Sequence, residues 1–208
     1  MPPAAHRLAV DALSARDPVV ARLVDVHGPM RLGGRTRVDE RFQALARAVA
    51  YQQLAGKAAA SIWGRVRALV DGSFDPQTVL SLPNDALRGA GLSQAKTDAL
   101  RDLARLVVNE EIRLDRTGRM PDDEVVAMLT QAKGVGPWTA HMFLMFHLHR
   151  LDVWPTGDYG VRVGYRHAFG LGELPSPREL DELGERFRPY RSVVAWYCWR
   201  AVDTVVPD

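Results

Sequence analysis

At 208 residues, with 47% hydrophobic and 25% charged residues and a formal net charge of +2, the chain has the make-up of a soluble globular protein. It is long enough for one sizeable core or two small lobes. A single cysteine, Cys198, excludes an internal disulfide framework and any cluster held by four thiolates. The N-terminal stretch "MPPAAHRLAVDALSARDP" carries charges throughout, and the apolar run "MFLMFHL" at 142–148 is too short to span a bilayer. Neither a leader nor a membrane anchor is expected, and a cytoplasmic protein is.

Alternating β-branched runs are nearly absent, whereas alanine, leucine and arginine recur at helical spacing. The chain is therefore predicted to be all-α, with two helical lobes and a groove between them. Residues 31 to 67 hold Arg31, Arg35, Arg37, Arg41, Arg47, Lys57, Arg65 and Arg67 against Asp39 and Glu40. That asymmetry suits a polyanion partner and equally a solvated helix face. "ERFQALARAVAYQQ" sets Phe42, Leu45 and Val49 on one stripe that runs on to Gln52 and Gln53. The interruption "QQLAG" carries Leu54, and a second helix follows Gly56 with Ile62, Val66 and Leu69 inward. Several short helices follow, punctuated by Pro76, by Pro83-Asn84 and by the Gly89-to-Gly91 segment. A helix over 122–132 is predicted to open at Pro121, with three acidic residues at the positive end of its dipole. "SPRELDELGERFR" and "PYRSVVAWYCWRAV" supply the last helices. No linker or internal repeat divides the chain, so one unit of two helical subdomains over 1–208 is expected.

The most informative stretch is "KGVGPWTAHMFLMFHLHRLDVWPTGDYG" at 133–160. Gly134 and Gly136 flank Val135, permitting a positive φ and close backbone approach while the valine plugs the seam between two helices. Pro137 suits the first position of the second helix. Such a corner aims backbone N–H groups outward and offers a phosphate site, although Gly-x-Gly alone also describes an ordinary helical corner.

The residues on either side of the corner add weight. "LTQAKGVGPWTA" resembles the helix–hairpin–helix of DNA repair glycosylases, and "DVWPTGDYGVR" resembles the catalytic segment that comes after it in that family, in the same order and spacing. "FQALARAVAYQQLAGKAAASI", "GLSQAKTDALRDLA" and "PYRSVVAWYCWR" are similar to further signatures of its alkylation-repair branch, the 3-methyladenine DNA glycosylase II type. The resemblance covers most of the chain, with the helix–hairpin–helix at about 122–149, and residues 1–30 add little to it. It is closest in kind to compact members without an extra N-terminal domain.

The resemblance implies a monofunctional glycosylase that everts and excises alkylated purines such as 3-methyladenine from double-stranded DNA in base excision repair. Asp158 takes the place of the catalytic aspartate, its carboxylate stabilising positive charge on the sugar. Trp138, Trp199, Met142, Tyr159 and Trp154 are the implied base pocket, electron-rich rings suiting a cationic base. Leu54, with Gln53, is the implied wedge filling the gap left by the everted nucleotide. Lys133, Gly134, Val135, Gly136, Thr139 and Arg162 are the implied phosphate-binding set. Tryptophan at 138 replaces the Schiff-base lysine of bifunctional members, so no strand cleavage is expected. Asp152, and Trp63 and Trp196 in the core, read as structural.

No cofactor is expected; the family's hairpin often holds a monovalent cation on backbone carbonyls, a feature of the DNA-bound state alone. The histidines form no zinc pattern, since His147 and His149 diverge on a helix and the others are scattered. A monomer, associated with a bacterial nucleoid and with no membrane contact, is expected. Two other readings remain open from sequence: a non-catalytic helix–hairpin–helix DNA-binding module, and a glycosylase for deaminated or oxidised bases.

Overall fold

Aspartate, serine and proline set where the helices begin. In the computed structural model, which describes residues 4–30, 32, 37–54 and 56–202, Asp17 caps the helix that starts at Pro18, and Asp75 caps the one that starts at Pro76. Ser176 forms a reciprocal capping box with Glu179, again with proline at the first helical position. Each such cap satisfies an orphan amide and stabilises its helix by about 1 kcal/mol. Among the described residues there are twelve α-helices and no strand: α1 (Ala4–Arg16), α2 (Pro18–His27), α3 (Arg41–Tyr51), α4 (Gly56–Arg67), α5 (Pro76–Ser81), α6 (Asn84–Gly89), α7 (Gln94–Val108), α8 (Asp122–Leu129), α9 (Pro137–Met142), α10 (Tyr159–Phe169), α11 (Pro177–Gly184) and α12 (Arg191–Ala201).

The helices fall into two compact units. The central unit spans 36–143; the terminal unit takes the described residues within 1–35 and 144–208. In the central unit α7 packs against α3, α5 and α6, burying Leu100 and Leu103, while α3 buries Phe42, Leu45 and Val49. Each fully buried leucine or phenylalanine of this kind contributes roughly 1.5–3 kcal/mol. Arg41 is buried too, its guanidinium donating to the carbonyls of Leu114 at 2.7 Å and Asp115 at 3.1 Å.

The terminal unit is organised around α12, whose residues from Arg191 to Trp199 are all buried. A helix apolar on every side belongs at the centre, and α10, α2 and α1 pack on it. Its closest crossing is with α10, where a Cβ at Gly164 would overlap the Cys198 carbonyl. Residues 4–30, from a stretch uninformative as sequence, complete this core: Val20 and Leu13 are fully buried, and the Tyr197 hydroxyl donates to the Gly28 carbonyl at 3.0 Å.

Several sequence expectations shift. The helix predicted over 122–132 ends at Leu129, where the chain tightens into turns: the amides of Gln131 and Ala132 donate three residues back, to the carbonyls of Met128 and Leu129. Pro121 sits at the N-cap rather than inside that helix. The apolar run after the corner is a six-residue α9 followed by a π-helical turn, Phe143–His147. Only Val66 of the α4 stripe is fully buried, with Ile62 and Leu69 partly so. Gln52 and Gln53 do not continue the α3 stripe, since the helix stops at Tyr51 and Gln53 adopts φ 55°. Of the basic stretch, Arg31 and Arg35 lie outside the described residues; Arg41 is internal, Arg37 pairs with Asp39, and Arg65 donates to the Ala90 carbonyl.

Candidate active site

The segment leading to Asp158 is anchored by side chains before it reaches the site. Asp152 receives Arg191 at Oδ1 from Nε at 2.8 Å and at Oδ2 from Nη2 at 3.1 Å, and Arg188 at Oδ2 at 2.8 Å. Arg191 is only 8% exposed, so this is a nearly buried charge pair at the start of α12. Ser192 adds a second tie: its hydroxyl donates to the Arg150 carbonyl and accepts from the Val153 amide. Trp154 then plunges inward, donating from Nε1 to the Leu180 carbonyl at 2.8 Å, and its indole occupies the place a Cβ at Gly184 would need.

A turn over Pro155–Asp158 comes next, closed by the Asp158 amide on the Pro155 carbonyl. Asp158 is the N-cap of α10. Its Oδ1 accepts from the Val161 amide at 2.8 Å and from the Trp199 indole N–H at 2.9 Å. Both bonds fall on one oxygen, which fixes the carboxylate rotamer. Gly160 makes room for this: a Cβ there would lie 2.9 Å from Trp199 Cδ1 and 3.2 Å from Asp158 Oδ1. Capping fixes the carboxylate without excluding chemistry.

The corner at 133–137 is built mainly from backbone. Gly134 takes φ +74°, and a Cβ added there would lie 2.8 Å from Ala99 Cβ, so both conformation and the approach of α7 require glycine. Gly136 has φ −94° and needs no such freedom. Val135 is buried as the plug, and Pro137 opens α9. The Lys133 amide donates to Asp102 Oδ2 on α7 at 2.8 Å; this bond, with Arg105 next, holds the Asp102 carboxyl below its usual range. A charge-assisted bond of this kind is worth roughly 1.5 kcal/mol or more. The exposed pair between Lys133 Nζ and Asp98, at 3.6 Å, contributes about 0.5 kcal/mol at most, so the ammonium can swing to another anion.

The predicted pocket residues separate by burial. Trp138 and Tyr159 are 36% and 70% exposed, whereas Met142, Trp154 and Trp199 are buried. Trp154 is thus a core residue of the terminal unit, because its N–H and ring are fully engaged inside. Trp199, at 2% exposure and tilted against Phe146, is placed to hold Asp158 rather than to present an open face. Two of the expected phosphate contacts also move. Thr139 is buried and its hydroxyl accepts from Gln52 Nε2 at 3.0 Å, while Arg162 belongs to the terminal unit and donates from Nε to the Pro175 carbonyl at 2.7 Å. Leu54 is exposed, next to Gln53 with its positive φ. Sequence alone gives no site role to Gln52, Lys96, Ala99 or Asp102, whose targets are distant along the chain. A cavity of about 260 Å³ beside α1 and α2, lined by His6 and Met30 among others, contains none of the predicted site residues. Among the described residues no group of three His, Cys, Asp or Glu side chains is arranged to hold a metal, and no helix is long and apolar enough to cross a membrane.

The profile of the HhH-GPD superfamily of base excision DNA repair proteins matches residues 46–189, and the chain belongs to that superfamily. DNA-3-methyladenine glycosylase 1 of Schizosaccharomyces pombe is 34% identical over 191 residues, spanning 90% of this chain and 84% of that protein. Among solved structures, the 3-methyladenine DNA glycosylase of the same yeast in complex with abasic DNA matches with a TM-score of 0.86 at 33% identity, covering 95% of this chain and 97% of that one. The DNA-3-methyladenine glycosidase of Bacillus halodurans matches at 0.81 and 33% identity, covering 94% and 89%.

Proposed function

We propose that this chain is a monofunctional DNA glycosylase that everts alkylated purines such as 3-methyladenine from duplex DNA and hydrolyses their N-glycosidic bond. The observation that carries the reading is Asp158, capping α10 with its carboxylate fixed by the Val161 amide and the Trp199 indole. A fixed carboxylate is pre-organised to meet the positive charge that develops at C1′ as the bond to the base breaks. The bonding pair leaves with the base, which a purine already cationic from alkylation accepts readily. Water then bonds to C1′ and loses a proton, with Asp158 orienting it.

Trp138 of the central unit and Tyr159 of the terminal unit are the exposed aromatics of the predicted set, each suited to stack on a base. Leu54 is the wedge, and the amides of Gly134 and Gly136 with the mobile Lys133 ammonium bind phosphate. Water as nucleophile is supported by where the amines are. Lys96 Nζ donates to the Ala50 carbonyl at 2.9 Å and to the Gln52 carbonyl at 2.6 Å, and position 138 is tryptophan. With chromosomal DNA as its substrate, the protein is proposed to act at the nucleoid, as a monomer of two helical subdomains.

The test is base release from methylated genomic DNA. The wild-type chain should free 3-methyladenine, and Asp158→Asn should slow release by about 100-fold or more while still binding an abasic analogue. Borohydride added during turnover should trap no adduct. Near-wild-type release by the variant would remove the role of Asp158, and an adduct on any lysine would overturn the hydrolytic route. Release of only deaminated or oxidised bases would move the lesion class.

A further inference from the structure

The loop that carries Leu54 is tied to the phosphate corner by residues that take no part in the proposed chemistry. Gln52 ends α3, and its side-chain amide donates to the Gly134 carbonyl at 2.9 Å and to the Thr139 hydroxyl at 3.0 Å. These two acceptors lie on either side of the Gly-Val-Gly turn, so one amide clasps both arms of the corner. The Gln52 main-chain carbonyl, with that of Ala50, receives Lys96 Nζ from α7. An ammonium on the last carbonyls of α3 satisfies the negative end of that helix.

Lys96 is three residues before Ala99, which touches Gly134, and six before Asp102, which holds the Lys133 amide. Positions three apart share a helix face, so one face of α7 registers the loop at 52–54 and the corner at 133–136 against a common rail. Immediately beyond Gln52 the backbone enters the left-handed region at Gln53, φ 55°, and Leu54 is left 39% exposed. A side chain other than glycine does not hold that conformation without support.

We infer that Gln52 is a positioning residue for nucleotide eversion: with Lys96 it sets where Leu54 stands relative to the amides that grip phosphate, so that seizing the backbone and opening the helix occur as one rigid event. This rests on the proposed glycosylase role of the site. The brace matters when the lesion is stacked and paired, because eversion then has to be driven. It matters little when the base is already unpaired.

The experiment is single-turnover release of one alkylated purine at saturating enzyme from two DNAs, a fully paired duplex and the same duplex with the lesion in an unpaired bubble. Gln52→Leu removes the amide at similar size, and Lys96→Met removes the ammonium. For Gln52→Leu, release from the duplex should slow by about tenfold, the loss of two hydrogen bonds, and from the bubble by no more than about twofold. Lys96→Met should show the same ordering, and carries the test if the first variant fails to fold. Equal slowing on both DNAs, or none on the duplex, would overturn the brace while wild-type release stands. No release by the wild-type chain from either DNA would sink the glycosylase role and this inference with it.

Discussion

The corner at 133–137 and the segment at 150–158 hold their functional groups by opposite means. The first is a backbone feature around one buried side chain, Val135, stabilised from beneath by α7 through Ala99 and Asp102. The second is clamped by side chains, with Asp152, Ser192 and Trp154 each tied before the chain turns at Asp158. The difference follows the tasks proposed for them. A phosphate is large and diffuse in charge, and amides on a surface turn can meet it with some tolerance. A carboxylate facing a developing cation has to be correct to a fraction of an ångström.

If that division holds, damage to the two regions should read out differently. The largest effect is expected for Asp152→Ala, which leaves the nearly buried Arg191 guanidinium with the longer pairing to Glu185 at 3.5 Å: a stability loss of about 3 kcal/mol, measured by urea unfolding, with base release falling in step. Loss of release without loss of stability would mean Asp152 acts on the chemistry, against its place here as an anchor. Gly134→Ala comes next, combining a left-handed backbone with a Cβ pressed on Ala99. It should cost roughly 1–2 kcal/mol and weaken DNA binding about tenfold, while release at saturating DNA stays within about threefold. A fall confined to saturated turnover would erase the contrast between gripping and chemistry.

The smallest effect is electrostatic. Asp102 is held below its ordinary 3.8 chiefly by the Lys133 amide, so its contribution to stability is present in full above that value and is lost as pH falls through the lower folded value. Asp102→Asn should therefore cost about 1 kcal/mol at neutral pH, and the gap to wild type should close progressively as the pH drops below 3.8. A gap that persists in acid would assign the loss to geometry rather than charge.

The glycine corner, Pro137 and the aspartate after it could be read in the sequence because each is a local requirement: a positive φ, a missing amide donor, a cap. The role of α7 could not. Lys96, Asp98 and Asp102 look like the solvated face of an amphipathic helix until their partners, up to 46 residues away, are in view. Trp154 and Trp199 show the same limit for aromatics, since a tryptophan near a site has the same letter whether its ring faces ligand or core. Helix ends misled for a local reason as well: past Leu129 the backbone tightens into successive turns, so α8 ends three residues early, and no hydrophobic period reports that. Residues 4–30 carried no motif because their work is burial against α12, which many apolar sequences could do.

The crossing of α10 over α12 has a chemical consequence beyond packing. Cys198, whose carbonyl leaves no room for a side chain at position 164, is fully buried, and burial together with nearby Asp158 raises its thiol well above the ordinary 9. Thiolate is the form that electrophiles consume. The chain's one sulfhydryl therefore stays protonated and out of reach of electrophiles in solvent.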